Sequence, residues 1–206
     1  MKLYIEPSFS TPDRAEGGIR RVVEAMTKHL PDFGFQIVPT LEQAEITNGH
    51  GVMIPVKTGI PFVSSCHGLH WADYEWSSWA HEVNARVVQS LVIANAITAP
   101  SEWVGYALTR GILRRPTVIY HGVDPDEWRH DGSHGNYVLW NKARADPVSN
   151  PDDMVAIAGL MQDVKFISTV GDPKANIEIA GVVPQPQLKR YIQQAGVYLA
   201  TARETF

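Results

Sequence analysis

The sequence predicts an α/β protein with two parallel-sheet domains, and three observations predict it. Short apolar runs alternate with helical patterns along the chain, the arrangement of successive βαβ units. A polar, Gly-rich stretch, Asp131-Gly132-Ser133-His134-Gly135, breaks that alternation before it restarts, as an inter-domain linker would. Residues are 44% hydrophobic and 19% charged, enough apolar side chain to build buried sheets in an ordinary globular chain. The expected division is therefore residues 1–130 and 131–206.

Taken in order, residues 3–5 open as a buried strand. Gly17-Gly18 then begins a helix with Ile19, Val22, Val23, Met26 and Leu30 at the spacing of one helical face. Gly34 ends it. Residues 35–38, 45–47, 51–56 and 61–65 read as short strands. A second helix spans 82–94, with Val83, Val87, Val88 and Leu91 facing inward. Residues 97–99 form a strand, and Ser101 is a good N-cap for a helix over 102–110. Residues 117–120 close the first domain as a strand. Beyond the linker come strands at 137–140, 164–169, 177–180 and 197–200, with helices at 151–161 and 187–195. A doubly wound domain usually has about six strands, so the second domain is expected to be incomplete.

Bulk properties exclude several classes. The net charge is −4, so no global basic field argues for nucleic acid or an anionic membrane. Cys66 is the single cysteine, which rules out an intrachain disulfide and fits a reducing compartment. The first residues carry too short an apolar run for a signal peptide, and no stretch approaches the roughly 20 apolar residues of a membrane span. A cytoplasmic protein is expected.

Ligands of open parallel sheets sit at the carboxyl ends of strands, so those junctions supply the candidate residues. Gly17 and Gly18 follow the first strand and open a helix, where a backbone can approach an anion closely; a simple turn explains them equally. His67 ends the run Pro61-Phe62-Val63-Ser64-Ser65-Cys66, where an imidazole can exchange a proton with a substrate. By pattern alone, a structural or surface histidine is the commoner case. His67 and His70 lack the spacing and the companions of a metal site. Lys142 and Arg144 follow the first strand of the second domain and suit a diphosphate, or are ordinary surface cations. Glu204 follows the last strand, where a carboxylate can accept from sugar hydroxyls and the amides of Thr205 and Phe206 can face a phosphate. Charge pattern alone makes it a solvated partner of Arg203.

The order of these pieces is more informative than any one of them. Gly17-Gly18, then His67-Gly68, Ala99-Pro100-Ser101-Glu102 and His121-Gly122-Val123-Asp124 together resemble the retaining glycosyltransferases of family 4, which have the GT-B fold of two Rossmann-like domains. His121 stands where the family usually has Asn. Tyr137-Val138-Leu139-Trp140-Asn141-Lys142-Ala143-Arg144 and the final eleven residues resemble one bacterial and archaeal branch. The resemblance implies that Glu204 is the first member of a Glu-x7-Glu donor motif whose second member would fall beyond residue 206. It also implies that His67 is the active-site histidine, on the wall of a cleft facing Glu204. The family's phosphate-binding Arg and Lys are more widely spaced than Lys142 and Arg144.

The implied reaction moves a sugar from a nucleotide-sugar donor to a glycan or lipid-linked acceptor, with retention and without a metal or other cofactor. Charge growing on the leaving diphosphate must then be met by cations and helix N-termini. No carboxylate pair brackets His67, so double displacement lacks a nucleophile and a front-side route is expected. A chain ending at residue 206 is expected to be weakly active or inactive. Its last strand should also be an open sheet edge, which invites self-association. A lipid-linked acceptor would bring the protein to the inner membrane face; Arg20, Arg21 and Lys28 are cations on the first helix. The alternatives are a non-catalytic carbohydrate- or partner-binding fragment and a GT-B sugar-nucleotide epimerase.

Overall fold

Two parallel sheets account for the alternation in the sequence. The computed structural model describes residues 1–9, 17–51, 59–71, 78–130 and 132–202, and the chain divides into two units between His121 and Gly122, ahead of the Gly-rich stretch.

The first unit runs β1 (Lys2–Glu6), α1 (Gly17–His29), β2 (Gln36–Ile37), β3 (Ile46–His50), β4 (Phe62–Ser65), α2 (Ser78–Ile93), β5 (Ala96–Ala99), α3 (Glu102–Ile112) and β6 (Thr117–Val118). Its strands lie in the order β2-β1-β3-β4-β5-β6, every neighbouring pair parallel. The chain steps from β1 to β2 on one side, then returns to place β3 on the other. The order reverses there, so the carboxyl ends of β1 and β3 flank a topological switch point.

The second unit runs β7 (Tyr137–Trp140), α4 (Pro151–Leu160), β8 (Lys165–Ser168), β9 (Ile177–Ile179), α5 (Gln185–Gln194) and β10 (Val197–Tyr198). Its described sheet is β10-β7-β8-β9, again parallel, with the reversal between β7 and β10. β10 is an edge strand, and Val197 and Tyr198 are both exposed.

Apolar side chains build two clusters against the first sheet and one against the second. In the first unit Phe62, Val87, Leu91, Ile97, Val104 and Leu108 pack together, while Leu3, Ile5 and Val23 form a second cluster under α1. In the second unit Trp140, Met154, Ala158, Phe166 and Ile177 do the same. Full burial of a side chain such as Leu91 contributes about 1.5–3 kcal/mol. Ser101 caps α3 as expected, its Oγ accepting from the Val104 amide at 3.3 Å.

Several expectations need correction. The strand expected at 45–47 extends as far as His50, because the buried polar side chains of Thr47, Asn48 and His50 find hydrogen-bond partners at Pro61, Val63, Ser65 and His67 and so can be tolerated inside a covered sheet. Gly51 is a turn at φ +64°, and the rest of the strand expected at 51–56 lies outside the described residues. α2 starts at Ser78, and its inward face is Ala80, Val87, Ser90 and Leu91; Val83 is exposed because the true register places Asn84 inward in its stead. The strand expected at 117–120 stops at Val118, leaving Ile119 and Tyr120 exposed. On α1, whose apolar stripe faces the core as expected, Arg20 is buried and both Arg20 and Arg21 pair with Glu24, at 2.7 and 2.8 Å.

Gly135 reads as linker in the sequence, yet its amide donates to the Gln194 carbonyl at 2.7 Å. A Cβ added there would collide with that same carbonyl, and one at Gly196 would lie 2.6 Å from the Gly135 carbonyl. These two glycines let the chain cross itself where β7 and β10 begin.

Candidate functional site: a histidine cluster at the carboxyl edge of the first sheet

His50 is the last residue of β3 and pairs in register with Ser65, the last residue of β4. Two residues further on, His67 turns back so that its Nε2 lies 2.8 Å from His50 Nδ1. His121, which follows β6, lies against the other side of His67, the rings nearly parallel at 12° with centroids 5.2 Å apart. Three imidazoles from three strand ends thus meet at the edge where parallel sheets bind ligands. Sequence alone singles out His67; the structure adds His50 and His121. The sequence signal for His50 is a polar run that continues a strand, which in the structure reaches three residues past Thr47.

Local hydrogen bonds hold this edge. Asn48 Nδ2 donates to the Val63 carbonyl and to Ser65 Oγ, both at 3.0 Å, and Thr98 Oγ1 donates to Ser65 Oγ at 3.0 Å. Gly68 adopts φ +108°, a conformation open chiefly to glycine, which lets the chain leave the sheet directly after His67. Its amide meets Cys66 Sγ at 3.4 Å. Cys66 is buried in the core, and burial pushes its thiol pKa up, as for an inert structural cysteine. Asn84 on α2 clamps the loop, accepting from the His70 amide at 2.9 Å and donating to the His70 carbonyl at 2.7 Å. Beyond it, Trp71 meets Trp103 edge-on, and His70 meets Trp79 likewise.

Burial dominates the electrostatics. It pushes His67 down to about 3, helped by His50 and His121 beside it. Burial also holds His50 at about 4, with His121 adding to the effect, and lowers His121. At neutral pH the cluster is three uncharged imidazoles, which offer hydrogen bonds and no net charge. Among the described residues, no group of three His, Cys, Asp or Glu side chains is arranged to hold a metal ion.

The other sequence candidates fall elsewhere. Gly17 and Gly18 form the exposed first turn of α1; Gly17 has φ +63°, and a Cβ at either position would meet open space. Only Gly17 is therefore demanded by the fold. Lys142 and Arg144 follow β7 at the switch point of the second unit. The Lys142 backbone is pinned by Thr169, whose Oγ1 accepts from its amide at 2.9 Å and donates to its carbonyl at 2.6 Å. Arg144 Nε contacts Asp146 Oδ2 at 2.7 Å. Close by, Thr201 Oγ1 accepts from Trp140 Nε1 at 2.8 Å and reaches the Asn150 carbonyl at 2.8 Å. Glu204, Thr205 and Phe206 lie outside the described residues. No helix among those described is long and apolar enough to cross a membrane.

Comparison with known proteins places this site in a family. Among solved structures, a "ugt transferase from Siraitia grosvenorii in complex with UDP" is similar at 10% identity and a TM-score of 0.40, over 98% of this chain and 71% of that one. No curated protein sequence matches. The sequence model of Glycosyltransferase Family 4 matches residues 19–127, a span that covers over half of the chain and includes His50, His67 and His121. The chain belongs to Glycosyltransferase Family 4.

Proposed function

We propose that this protein is a retaining, metal-independent glycosyltransferase of hexosyltransferase type, moving a sugar from a nucleotide-sugar donor to a glycan or lipid-linked acceptor. The observation that carries the reading is His67, half-buried and uncharged, held from two sides at the carboxyl edge of the family-matched sheet. An uncharged imidazole in that position orients a sugar hydroxyl without competing for the phosphates. The first unit takes the acceptor and the second the donor. Lys142 and Arg144, beyond β7, meet the diphosphate as its charge grows; Gly17 and Gly18, at the start of α1, are further donor-binding candidates by their backbone amides. Glu204 is assigned to the donor sugar hydroxyls, with Thr205 and Phe206, next to it in the sequence, as further donor-binding residues. The acceptor attacks from the side the diphosphate leaves, a phosphate oxygen taking its proton, so the anomeric configuration is kept. Such an enzyme works in the cytoplasm, at the inner membrane face where its acceptor is lipid-linked.

The test is binding and transfer with a panel of nucleotide sugars. Nucleotide sugars should raise the Tm while free sugars do not. The product should keep the donor's anomeric configuration by NMR, and EDTA should leave the rate unchanged. His67→Ala should lower kcat by about 100-fold or more, the scale of losing one positioned catalytic hydrogen-bond partner. A chain that neither binds nor turns over any nucleotide sugar would defeat the proposal.

A further inference from the structure

One nitrogen in the histidine cluster restricts how its protons can be arranged. His50 is 2% exposed, and its Nε2 is buried without a hydrogen-bond partner. A buried N–H left without an acceptor is among the rarest defects in folded proteins, whereas an unused acceptor is better tolerated. The His50 proton therefore sits on Nδ1, the atom 2.8 Å from His67 Nε2, and is donated to it. An accepting Nε2 is bare, so uncharged His67 carries its own proton on Nδ1.

We propose that His50 is a positioning residue that fixes His67 in the Nδ1–H form, so that His67 gives the reaction a fixed hydrogen-bond donor and not a base. This role rests on the reading of His67 as the residue that faces the sugar. The reverse arrangement, His67 Nε2–H donating to a bare His50 Nδ1, would drive the His50 proton onto its sealed Nε2. A proton relay through the pair fails for the same reason. A proton passed from His50 Nδ1 to His67 would need replacement at Nε2, where no described group supplies one. His121 completes the restraint by covering a face of the His67 ring. With one edge engaged and one face covered, the Nδ1–H edge is left for an oxygen acceptor, such as a sugar hydroxyl. No described residue hydrogen-bonds that atom.

Long-range proton–nitrogen correlation spectra of the histidine-labelled chain, at neutral pH and without substrate, read the tautomer directly. The expected result is His67 as Nδ1–H in the native chain. In His50→Leu it should shift to a mixture or to Nε2–H. In His50→Asn it should stay Nδ1–H, because the Asn amide can place a donor where the imidazole Nδ1–H was. Nε2–H in the native chain, or an unaltered tautomer in His50→Leu, overturns the proposal. If His50→Leu does not fold, the native and His50→Asn spectra decide: Nδ1–H in both upholds it, Nε2–H in either overturns it. The spectra are independent of turnover, so an inactive chain with His67 as Nδ1–H upholds the tautomer assignment while removing the glycosyltransferase reading.

Discussion

The two sheets end differently at their switch points. At the edge of the first, the polar groups come from side chains on strands and are only partly satisfied: His50 keeps an unpartnered nitrogen and His67 is half open. At the edge of the second, side chains close on the backbone. Thr169 pins Lys142, Thr201 ties Trp140 to Asn150, and Arg144 rests on Asp146. Buried polar groups are normally paired, so an edge that leaves one unpaired retains it for a reason other than stability. The difference teaches where to look for chemistry and where to look for scaffold.

Acid should separate the two units most. His50 and His67 titrate well below the ordinary histidine value when folded. Between about pH 4 and 6.5 the unfolded chain therefore binds protons that the folded first unit refuses. Their contribution is intact above pH 6.5 and is lost as pH falls, by about 1.4 kcal/mol per pH unit for each histidine. From pH 7 to 5 the first unit should lose roughly 4 kcal/mol by that arithmetic, with His121 acting in the same direction. The second unit has only exposed histidines among its described residues, His130 and His134. Urea titrations followed at Val87 and Phe166 amides should show the Val87 midpoint falling with acid far more than the Phe166 midpoint. Parallel shifts in both would erase the contrast.

Thr201→Val tests the scaffold side. The substitution keeps the side chain's volume but strands Trp140 Nε1 inside the core of the second unit and frees the carbonyls of Ser149 and Asn150. Losing a buried donor's partner costs about 1–3 kcal/mol, so the second unit should weaken by about 2 kcal/mol while the first keeps its urea midpoint. A change below about 0.5 kcal/mol, the scale of an ordinary surface substitution, would mean that the Thr201 bonds contribute nothing to the fold.

How much of this was legible beforehand follows from what sequence patterns record. Period and punctuation gave the strands and helices, because Ile19, Val23 and Leu91 bury one face and Ser101 caps a helix in ways local spacing reveals. Polar residues that face inward were not legible: Asn84 and His50 are held by partners distant in sequence, Arg20 is buried on α1 with its ion pair to Glu24, and hydrophobic periodicity has no mark for any of them. Gly135 misled for the opposite reason, since a glycine needed for close backbone approach looks the same as one in a flexible linker. His67 could be named from its place at a strand end. Its grip by His50 could not, because that depends on the β3–β4 register, which brings together residues 17 apart.

The smallest effect on stability is expected at Arg144, and it is the most useful for deciding what the second edge does. Arg144 is 58% exposed and Asp146 21% exposed, and an ion pair so placed contributes about 0–1 kcal/mol once screening and side-chain entropy are counted. Arg144→Gln should therefore leave stability within about 0.5 kcal/mol of the native chain. Asp146 keeps its bond from the Ser149 amide at 2.9 Å, so the loop itself should hold. If Arg144 meets a diphosphate, the same change should weaken nucleotide-sugar binding by about fivefold, near 1 kcal/mol, with a shallower salt dependence. Unchanged affinity at unchanged stability would assign Arg144 to the loop's own ion pair, and leave Lys142 as the cation of that edge proposed to face the donor.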